Sequence, residues 1–314
     1  MNILLKLDLD DRHVQQIKAV SQEVELVQLQ SDGEILETMP DVEVVFGELT
    51  EDMFTRGSKL RWVQVTGASA DARLFPELVE SDIVLTSAKG TVGVHLAEHA
   101  MALLLGLTRG IATAVRNPSW DPQMPIRNAA WELAGLTMGI VGLGGTGREL
   151  AHRAQGFGMH IVAVDPEDVE VPDYVETCWR MDRFYDLLEQ SDVVAICAPL
   201  TAETEGMFDE QALSRMQDHA LLINVTRGKI VNEQALIEAL RKGWIGGAGL
   251  DVTPQEPLPE DHPLWSMENV IITPHVAGGS PNRWDRIVDL FCENLRRLLA
   301  SEPLLSVIDK RKGY

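Results

Sequence analysis

The sequence is poor in cysteine, in positive charge and in long apolar runs, and each shortage excludes something. Its three cysteines, Cys178, Cys197 and Cys292, lie far apart with no C-x-x-C spacing. An odd, sparse set predicts reduced thiols and a cytoplasmic setting, not a disulfide framework. Cys197 falls in an apolar run, DVVAICA, and reads as packing and not as a nucleophile. Lys and Arg number 27 against 48 Asp and Glu, a formal charge of −21. Nucleic acids and anionic membrane surfaces want a basic face, so neither is expected as a partner. A small anionic substrate is not excluded, because local charge decides that. No apolar run reaches transmembrane length, and the closest, His99 to Leu107, is far too short. Met1 leads straight into a strand followed by Asp8 and Asp10, so no signal peptide is expected. One histidine pair, His95 and His99, has helical spacing. It reads better as a packed or capped helix face than as a metal pair, and no metal is expected.

What is present suits two α/β domains. The chain has 314 residues, 45% of them hydrophobic, enough for two cores. Strand-like runs NILLKLD, EVELVQLQ, VEVVFGE, RWVQVTGAS and DIVLTSA alternate with helical segments up to about residue 90. That predicts a parallel, doubly wound layout of flavodoxin type, a candidate substrate domain. One long helix is predicted from Thr91 to about Asn117, apolar nearly all round in its middle and therefore buried. A proline-rich arm with two tryptophans, NPSWDPQMPIRNAAW, follows. Six further strands, TMGIVG, HIVAVD, DVVAICA, ALLINVT, GAGLDVT and NVIITPH, predict a dinucleotide-binding sheet of Rossmann type. The expected division is residues 1–92 plus 290–314 for the substrate domain and 93–289 for the dinucleotide domain. The two chain crossings predict a hinge and a cleft between the domains.

The strongest motif is Met138 to Leu150, MGIVGLGGTGREL, a buried strand, a G-x-G-x-x-G turn and a helix start. Gly142 permits the tight turn, Gly144 keeps side chains away from a pyrophosphate, and Gly147 lets the helix approach the strand. The helix N-terminus offers N–H groups and a positive dipole end to phosphates. Asp165 ends the next strand, about twenty residues on, where an acid bonds an adenosine ribose diol. A structural βαβ turn with no ligand is the plainer alternative.

Ligands of such sheets bind beyond the carboxyl ends of the strands. The residues there are Gly142, Asp165, Pro199, Arg227, Asp251 and His275. Arg227, behind the apolar strand LLINVT and next to a glycine, is placed to fork onto a carboxylate. By position alone it fits equally a surface arginine paired with a nearby acid. Glu256 lies in GLDVTPQEPLP and His275 in NVIITPHVAGG. A lone histidine is more often a satisfied core or surface residue. Here a carboxylate about twenty residues upstream, past the neighbouring strand, shifts those odds. An ionised carboxylate beside an imidazole favours the imidazolium. Such a group donates a proton to a carbonyl as hydride arrives, and acts as base in reverse.

On these residues the chain resembles the D-isomer-specific 2-hydroxyacid dehydrogenase family. The resemblance rests on LAGLTMGIVGLGGTG, FGMHIVAVDP, SDVVAICAPLTAETEGMF, LLINVTRGKIVNEQAL, AGLDVTPQEPLP and HPLWSMENVIITPHVAG, with HLAEHAMALLLGLTRG upstream and VIDKRKGY at the end. It covers nearly the whole chain, more weakly over the first sixty residues. It implies an NAD-dependent oxidoreductase acting on a 2-oxo acid or its D-2-hydroxy acid, with Arg227, Glu256 and His275 on the catalytic positions. It implies Asp251 near the nicotinamide carboxamide, and Gly145, Thr146, Asp165, Thr226 and Gly278 lining the cofactor. Backbone amides at Ser69 and Ala70 are expected at the substrate carboxylate. The sequence departs from the family at Thr146, usually a branched apolar residue, and at Ser69, commonly glycine.

Asp165, Glu167 and Asp168 would repel a 2′-phosphate, with no Arg or Lys at hand, which predicts NAD over NADP. Glu48, after the third strand, disfavours a phosphorylated substrate. The expected substrates are glyoxylate, hydroxypyruvate or an aliphatic oxo acid. The rivals are a phosphite-type dehydrogenase and a non-catalytic NAD(H)-sensing corepressor-like scaffold. Glutamate at position 256, where formate dehydrogenases have glutamine, excludes those. A homodimer built on residues 91 to 131 is expected, because so much apolar helix needs covering. No appended regulatory domain is expected in 314 residues.

Overall fold

In a computed structural model, residues 1–68 and 74–313 are described. The chain divides into two compact units, Met1–Val92 with Ser280–Tyr314, and Gly93–Gly279. The return to the first unit thus comes at Ser280, ahead of the 290 read from sequence.

The first unit is built on five parallel strands, β1 (Asn2–Lys6), β2 (Glu25–Gln28), β3 (Val44–Gly47), β4 (Trp62–Gln64) and β5 (Val84–Thr86). Their order is β2-β1-β3-β4-β5, the flavodoxin-like arrangement. The strands are short and read as near-continuous apolar runs because helices cover both faces. The helix Arg283–Leu299 completes one face. Its Phe291 stacks on Phe46 with ring centroids 4.2 Å apart and on Trp62 at 4.8 Å. Ile287, Val288, Cys292 and Leu295 extend the same buried cluster. Beneath it, Asn294 is fully buried and satisfied by Gln64 and by the backbone of Leu305.

The second unit carries seven parallel strands, β6 (Thr137–Val141), β7 (His160–Val164), β8 (Thr177–Trp179), β9 (Val193–Ile196), β10 (Leu221–Asn224), β11 (Gly247–Leu250) and β12 (Val270–Ile272). Their order is β12-β11-β10-β9-β6-β7-β8. Numbered within the unit this is the Rossmann order with a seventh strand added, and the switch point lies between β6 and β9. Six of the seven were expected from sequence. β8, three residues at the edge beside β7, has no apolar run to announce it.

The single helix expected from Thr91 to Asn117 is broken. It runs Gly93–Thr108 and resumes as Ile111–Arg116. Gly110 between them has φ +65°, a conformation that ends a helix and that glycine adopts without cost. The apolar middle is covered within its own unit, by the helix Gly145–Gly156 and by β10, β11 and β12. Ala97, Ala100, Leu103 and Leu104 are buried there. The apolar side chains left exposed lie beyond the break, Ile111 and Val115 on the resumed helix and Trp120 and Met124 in the arm. The arm itself contains a short helix, Gln123–Ala129, that its prolines concealed. No helix among the described residues is long and apolar enough to cross a membrane.

Candidate active site

Six of the residues singled out from sequence stand just past strands of the seven-stranded sheet, all at its carboxyl edge. Gly142 follows β6, Asp165 follows β7, and Pro199 lies beyond β9. Arg227, Asp251 and His275 follow β10, β11 and β12, three neighbours in the sheet. The register sets Asn224 beside Leu250 and Leu250 beside Ile272, so the three exits lie side by side.

At the switch point Gly142 has φ +97°, and a Cβ there would meet the backbone of Ala198 at 2.8 Å. Gly147 lies against the turn it closes, where a Cβ would come 2.1 Å from the Gly142 carbonyl oxygen. Gly144 differs, because a Cβ on it would meet nothing within 4 Å. Space is therefore left over Gly144, and the helix Gly145–Gly156 starts beside it with the N–H groups of its first turn, Gly145 and Thr146 included, lacking intrahelical acceptors. An open cradle at a helix N-terminus fits the pyrophosphate of a dinucleotide.

Asp165 is buried, and its carboxylate braces the glycine turn. Oδ2 accepts the Leu143 N–H at 2.8 Å and Oδ1 accepts the Glu167 N–H at 2.9 Å. Pro166, Glu167 and Asp168 follow on the surface. The expectation that no cation is at hand needs correcting. Burial and then Asp165 push the Cys178 thiol above its ordinary value, while Arg148 and Arg180 pull it back. Arg148 Nε also donates to the carbonyl of Leu143 at 3.2 Å, which sets that guanidinium beside the turn that Asp165 braces. Arg180 comes from beyond β8, the strand that the sequence hid.

On the other side of the switch point, Glu256 and His275 meet: His275 Nδ1 lies 2.7 Å from Glu256 Oε2. Glu256 is held in turn by the Thr253 N–H, which donates to Oε1 at 3.0 Å. His275 has φ +52°, a left-handed conformation uncommon outside glycine. Its N–H donates to the carbonyl of Asp251 at 2.8 Å.

Asp251 is 1% exposed and organises the whole turn after β12. Its Oδ1 accepts the Thr273 hydroxyl at 2.6 Å and the Val276 N–H at 2.9 Å, and its Oδ2 accepts the Ala277 N–H at 2.9 Å. His99, from the helix Gly93–Thr108, reaches Thr273 Oγ1 with Nε2 at 2.8 Å and Asp251 Oδ1 at 3.3 Å. Burial works against the charged form of Asp251. The bonds from His99, Thr273, Ala277 and Val276 outweigh it, and the carboxyl is held below its ordinary value.

Arg227 follows Asn224, whose buried amide shapes the exit of β10. Asn224 Oδ1 accepts the Thr226 N–H at 3.1 Å, and its Nδ2 donates to the Arg227 carbonyl at 3.0 Å. The guanidinium donates from Nη1 to the Thr226 carbonyl at 2.8 Å. Gly228 then packs on the backbone of Thr253, the residue that holds Glu256. Arg227 is thus linked to the Glu256–His275 pair through one backbone contact.

Pro199 has its carbonyl capped by the Thr204 hydroxyl at 2.7 Å. Gly278 closes the His275 turn, and a Cβ on it would meet nothing within 4 Å. Ser69 and Ala70 lie outside the described residues. His99, read from sequence as a packed helix face, and Thr273 belong to the site's framework. Their 174-residue separation left no local signal of it. Among the described residues no group of three or more His, Cys, Asp or Glu could hold a metal.

Comparison with known proteins identifies the family. Residues 101–277 match the family described as D-isomer specific 2-hydroxyacid dehydrogenase, NAD binding domain. A glyoxylate reductase from Korarchaeum cryptofilum is 37% identical over 275 residues, 83% of this chain and 81% of that protein. An (S)-sulfolactate dehydrogenase from Chromohalobacter salexigens is 37% identical over 251 residues, 79% of this chain and 80% of the other. Among solved structures, a D-isomer specific 2-hydroxyacid dehydrogenase from Xanthobacter autotrophicus, in complex with NADPH and MES, superposes with a TM-score of 0.82 at 28% identity, covering 100% of this chain and 99% of its own. The chain belongs to the D-isomer specific 2-hydroxyacid dehydrogenase family and is one of its NAD(P)-dependent enzymes.

Proposed function

We propose that this enzyme reduces a small 2-oxo acid, of the glyoxylate, hydroxypyruvate or aliphatic type, to its D-2-hydroxy acid, with NADH preferred. The observation that carries the reading is the His275–Glu256 pair, 2.7 Å apart, at the strand exit next to that of Asp251. Glu256 accepts a hydrogen bond from Nδ1–H and so fixes the ring's tautomer and orientation, which leaves Nε2 to exchange a proton with the substrate oxygen. When bound, the nicotinamide supplies the hydride, and the protein supplies orientation and charge. Arg227 binds the substrate carboxylate and polarises the carbonyl, a role its planar fork suits. Gly144, Gly145, Thr146 and Gly147 hold the pyrophosphate. Asp165 holds the ribose, while Pro199, Thr226, Asp251 and Gly278 line the nicotinamide side.

The NADH preference is supported by Asp165, Glu167 and Asp168, three acids against the two arginines, Arg148 and Arg180. The relative named for glyoxylate supports the substrate class. The exposed helix Ile111–Arg116 and the arm after it support pairing with a second copy of the chain: Val115 is 75% exposed and Trp120 84%.

The test is turnover of glyoxylate, hydroxypyruvate, pyruvate and phosphite with NADH or NADPH, or their oxidised forms for phosphite. The expected result is reduction of a 2-oxo acid, with higher kcat/KM for NADH, and its loss by about 10²-fold or more in His275→Gln with NADH binding kept. Turnover of phosphite alone, or NADH binding with no turnover, would sink the reading. Sedimentation of the purified chain tests the dimer, and a monomer would refute it.

A further inference from the structure

We propose that His99 is a positioning residue for proton transfer: acting through Thr273 and Asp251, it holds the turn that presents His275. The inference rests on the reading of His275 as the acid–base group. It concerns a different helix, on which the sequence shows only an i, i+4 histidine pair.

The directions of the hydrogen bonds carry the argument. Thr273 Oγ1 is 2.6 Å from Asp251 Oδ1, and a carboxylate accepts, so the hydroxyl proton points at Asp251. The lone pairs of that hydroxyl are then what His99 Nε2 meets at 2.8 Å, so His99 donates from Nε2. A second, longer arm reaches Asp251 Oδ1 directly at 3.3 Å. The other donors to this carboxylate, Thr273, Val276 and Ala277, all belong to the turn itself. His99 comes from a helix packed on β11 and β12. It therefore ties the turn to a rigid body that the turn does not contain.

The turn needs such a tie. His275 stands in a left-handed conformation, which persists where the surroundings over-determine it. Its own N–H bonds to the Asp251 carbonyl, and the next two N–H groups bond to the Asp251 carboxylate. Rotation of that carboxylate would release the Val276 and Ala277 N–H groups, which directly follow His275. With Asp251 buried and four donors converging on it, loss of the His99 donor leaves Thr273 Oγ1 short of a partner and frees the carboxylate to turn.

His99→Leu removes the donor and keeps apolar bulk. His99→Gln returns an N–H donor at similar reach. The expected result is a fall in kcat of about tenfold in His99→Leu, with KM and the Kd for NADH nearly unchanged, and recovery in His99→Gln. Thr273→Val should lower kcat similarly, and the double variant His99→Leu/Thr273→Val should be no worse than either single one, because both break one chain of bonds. Amide exchange of a peptide covering residues 273–279, read without substrate, should quicken about tenfold in His99→Leu and Thr273→Val and stay slow in His99→Gln.

A His99→Leu enzyme with wild-type kcat and exchange would overturn the proposal, as would a His99→Gln enzyme as impaired as His99→Leu. Should His99→Leu fail to fold, Thr273→Val and His99→Gln make the same comparison. If the wild-type protein reduces no 2-oxo acid, it is the assignment of function that fails, and the exchange measurement still decides whether His99 holds the turn.

Discussion

Gly228 lies so close to Thr253 that a Cβ on it would come 1.9 Å from the carbonyl carbon and 2.2 Å from the oxygen. Both atoms are backbone, so neither can swing aside. The contact joins the exit of β10, which carries Arg227, to the loop whose Thr253 N–H holds Glu256. Gly228→Ala must push the two apart. Overpacking of this kind costs about 2 kcal/mol, so the midpoint of denaturant unfolding should fall. Activity should fall more than stability alone explains, because Arg227 and Glu256 move in opposite directions. A folded Gly228→Ala protein with unchanged kcat/KM would show that the two loops are not coupled.

The glycines of the dinucleotide turn should separate binding from folding. Gly144→Val adds a side chain where no atom lies within 4 Å of the Cβ position. Its melting temperature should stay within a few degrees of wild type, while the Kd for NADH rises by tenfold or more. Gly147→Ala places a methyl 2.1 Å from the Gly142 carbonyl oxygen and should lower stability instead, by about 2 kcal/mol. Calorimetry and NADH fluorescence titration on the two variants check this. The same loss in both would mean that Gly144 is needed by the fold and not by the cofactor.

Arg227→Lys keeps the charge and removes the fork. A charge-assisted hydrogen bond contributes about 2 kcal/mol, so kcat/KM for a 2-oxo acid should fall roughly thirtyfold. Steady-state kinetics with varied oxo acid, at saturating NADH, give the number. A neutral result would return Arg227 to the surface-pair reading that its sequence position also allows.

One stability effect should depend on pH in a direction that can be stated. His219 Nε2 lies 2.8 Å from Asp192 Oδ1, and Asp192 Oδ2 accepts the Thr137 N–H at the start of β6. The Asp192 hydrogen bond, opposed by partial burial and aided by Asp218, raises the imidazole above its ordinary 6.5. A group raised on folding stabilises fully below its unfolded value, and the effect fades as pH rises through the folded one. His219→Gln should therefore cost stability at pH 5.5 and little at pH 9. The side chain is 43% exposed, so solvent screening limits the difference, to about 1 kcal/mol or less. Urea unfolding at the two pH values reads it, and an equal loss at both would refute the charge argument.

Much of this was legible in the chain because the second unit's strands are apolar runs that end in marked residues. The G-x-G-x-x-G turn, Asp165, Arg227, Asp251, Glu256 and His275 each sit within a few residues of a strand end, and parallel sheets gather strand ends along one edge. What stayed hidden was non-local. β8 is three residues long and gains its identity from pairing with β7. The bond from His99 to Thr273 spans two elements with no shared motif. Gly110 looked like one small residue in an apolar helix, yet its positive φ ends that helix. Arg148 and Arg180 lie far apart in sequence, so the acidic run after β7 could be read without them.

The stacking of Phe291 on Phe46 and Trp62 has a consequence for how the chain is made. A ribosome delivers residues 93–279 before it delivers the helix Arg283–Leu299. The second unit can close its cores as soon as it emerges. The first unit holds β1 to β5 from the outset, but one face of that sheet waits for Ile287, Val288, Phe291 and Leu295. The unit encoded first is completed last, with apolar β-strand surface uncovered in the interval, which marks that face as the one a nascent-chain chaperone would have to shield.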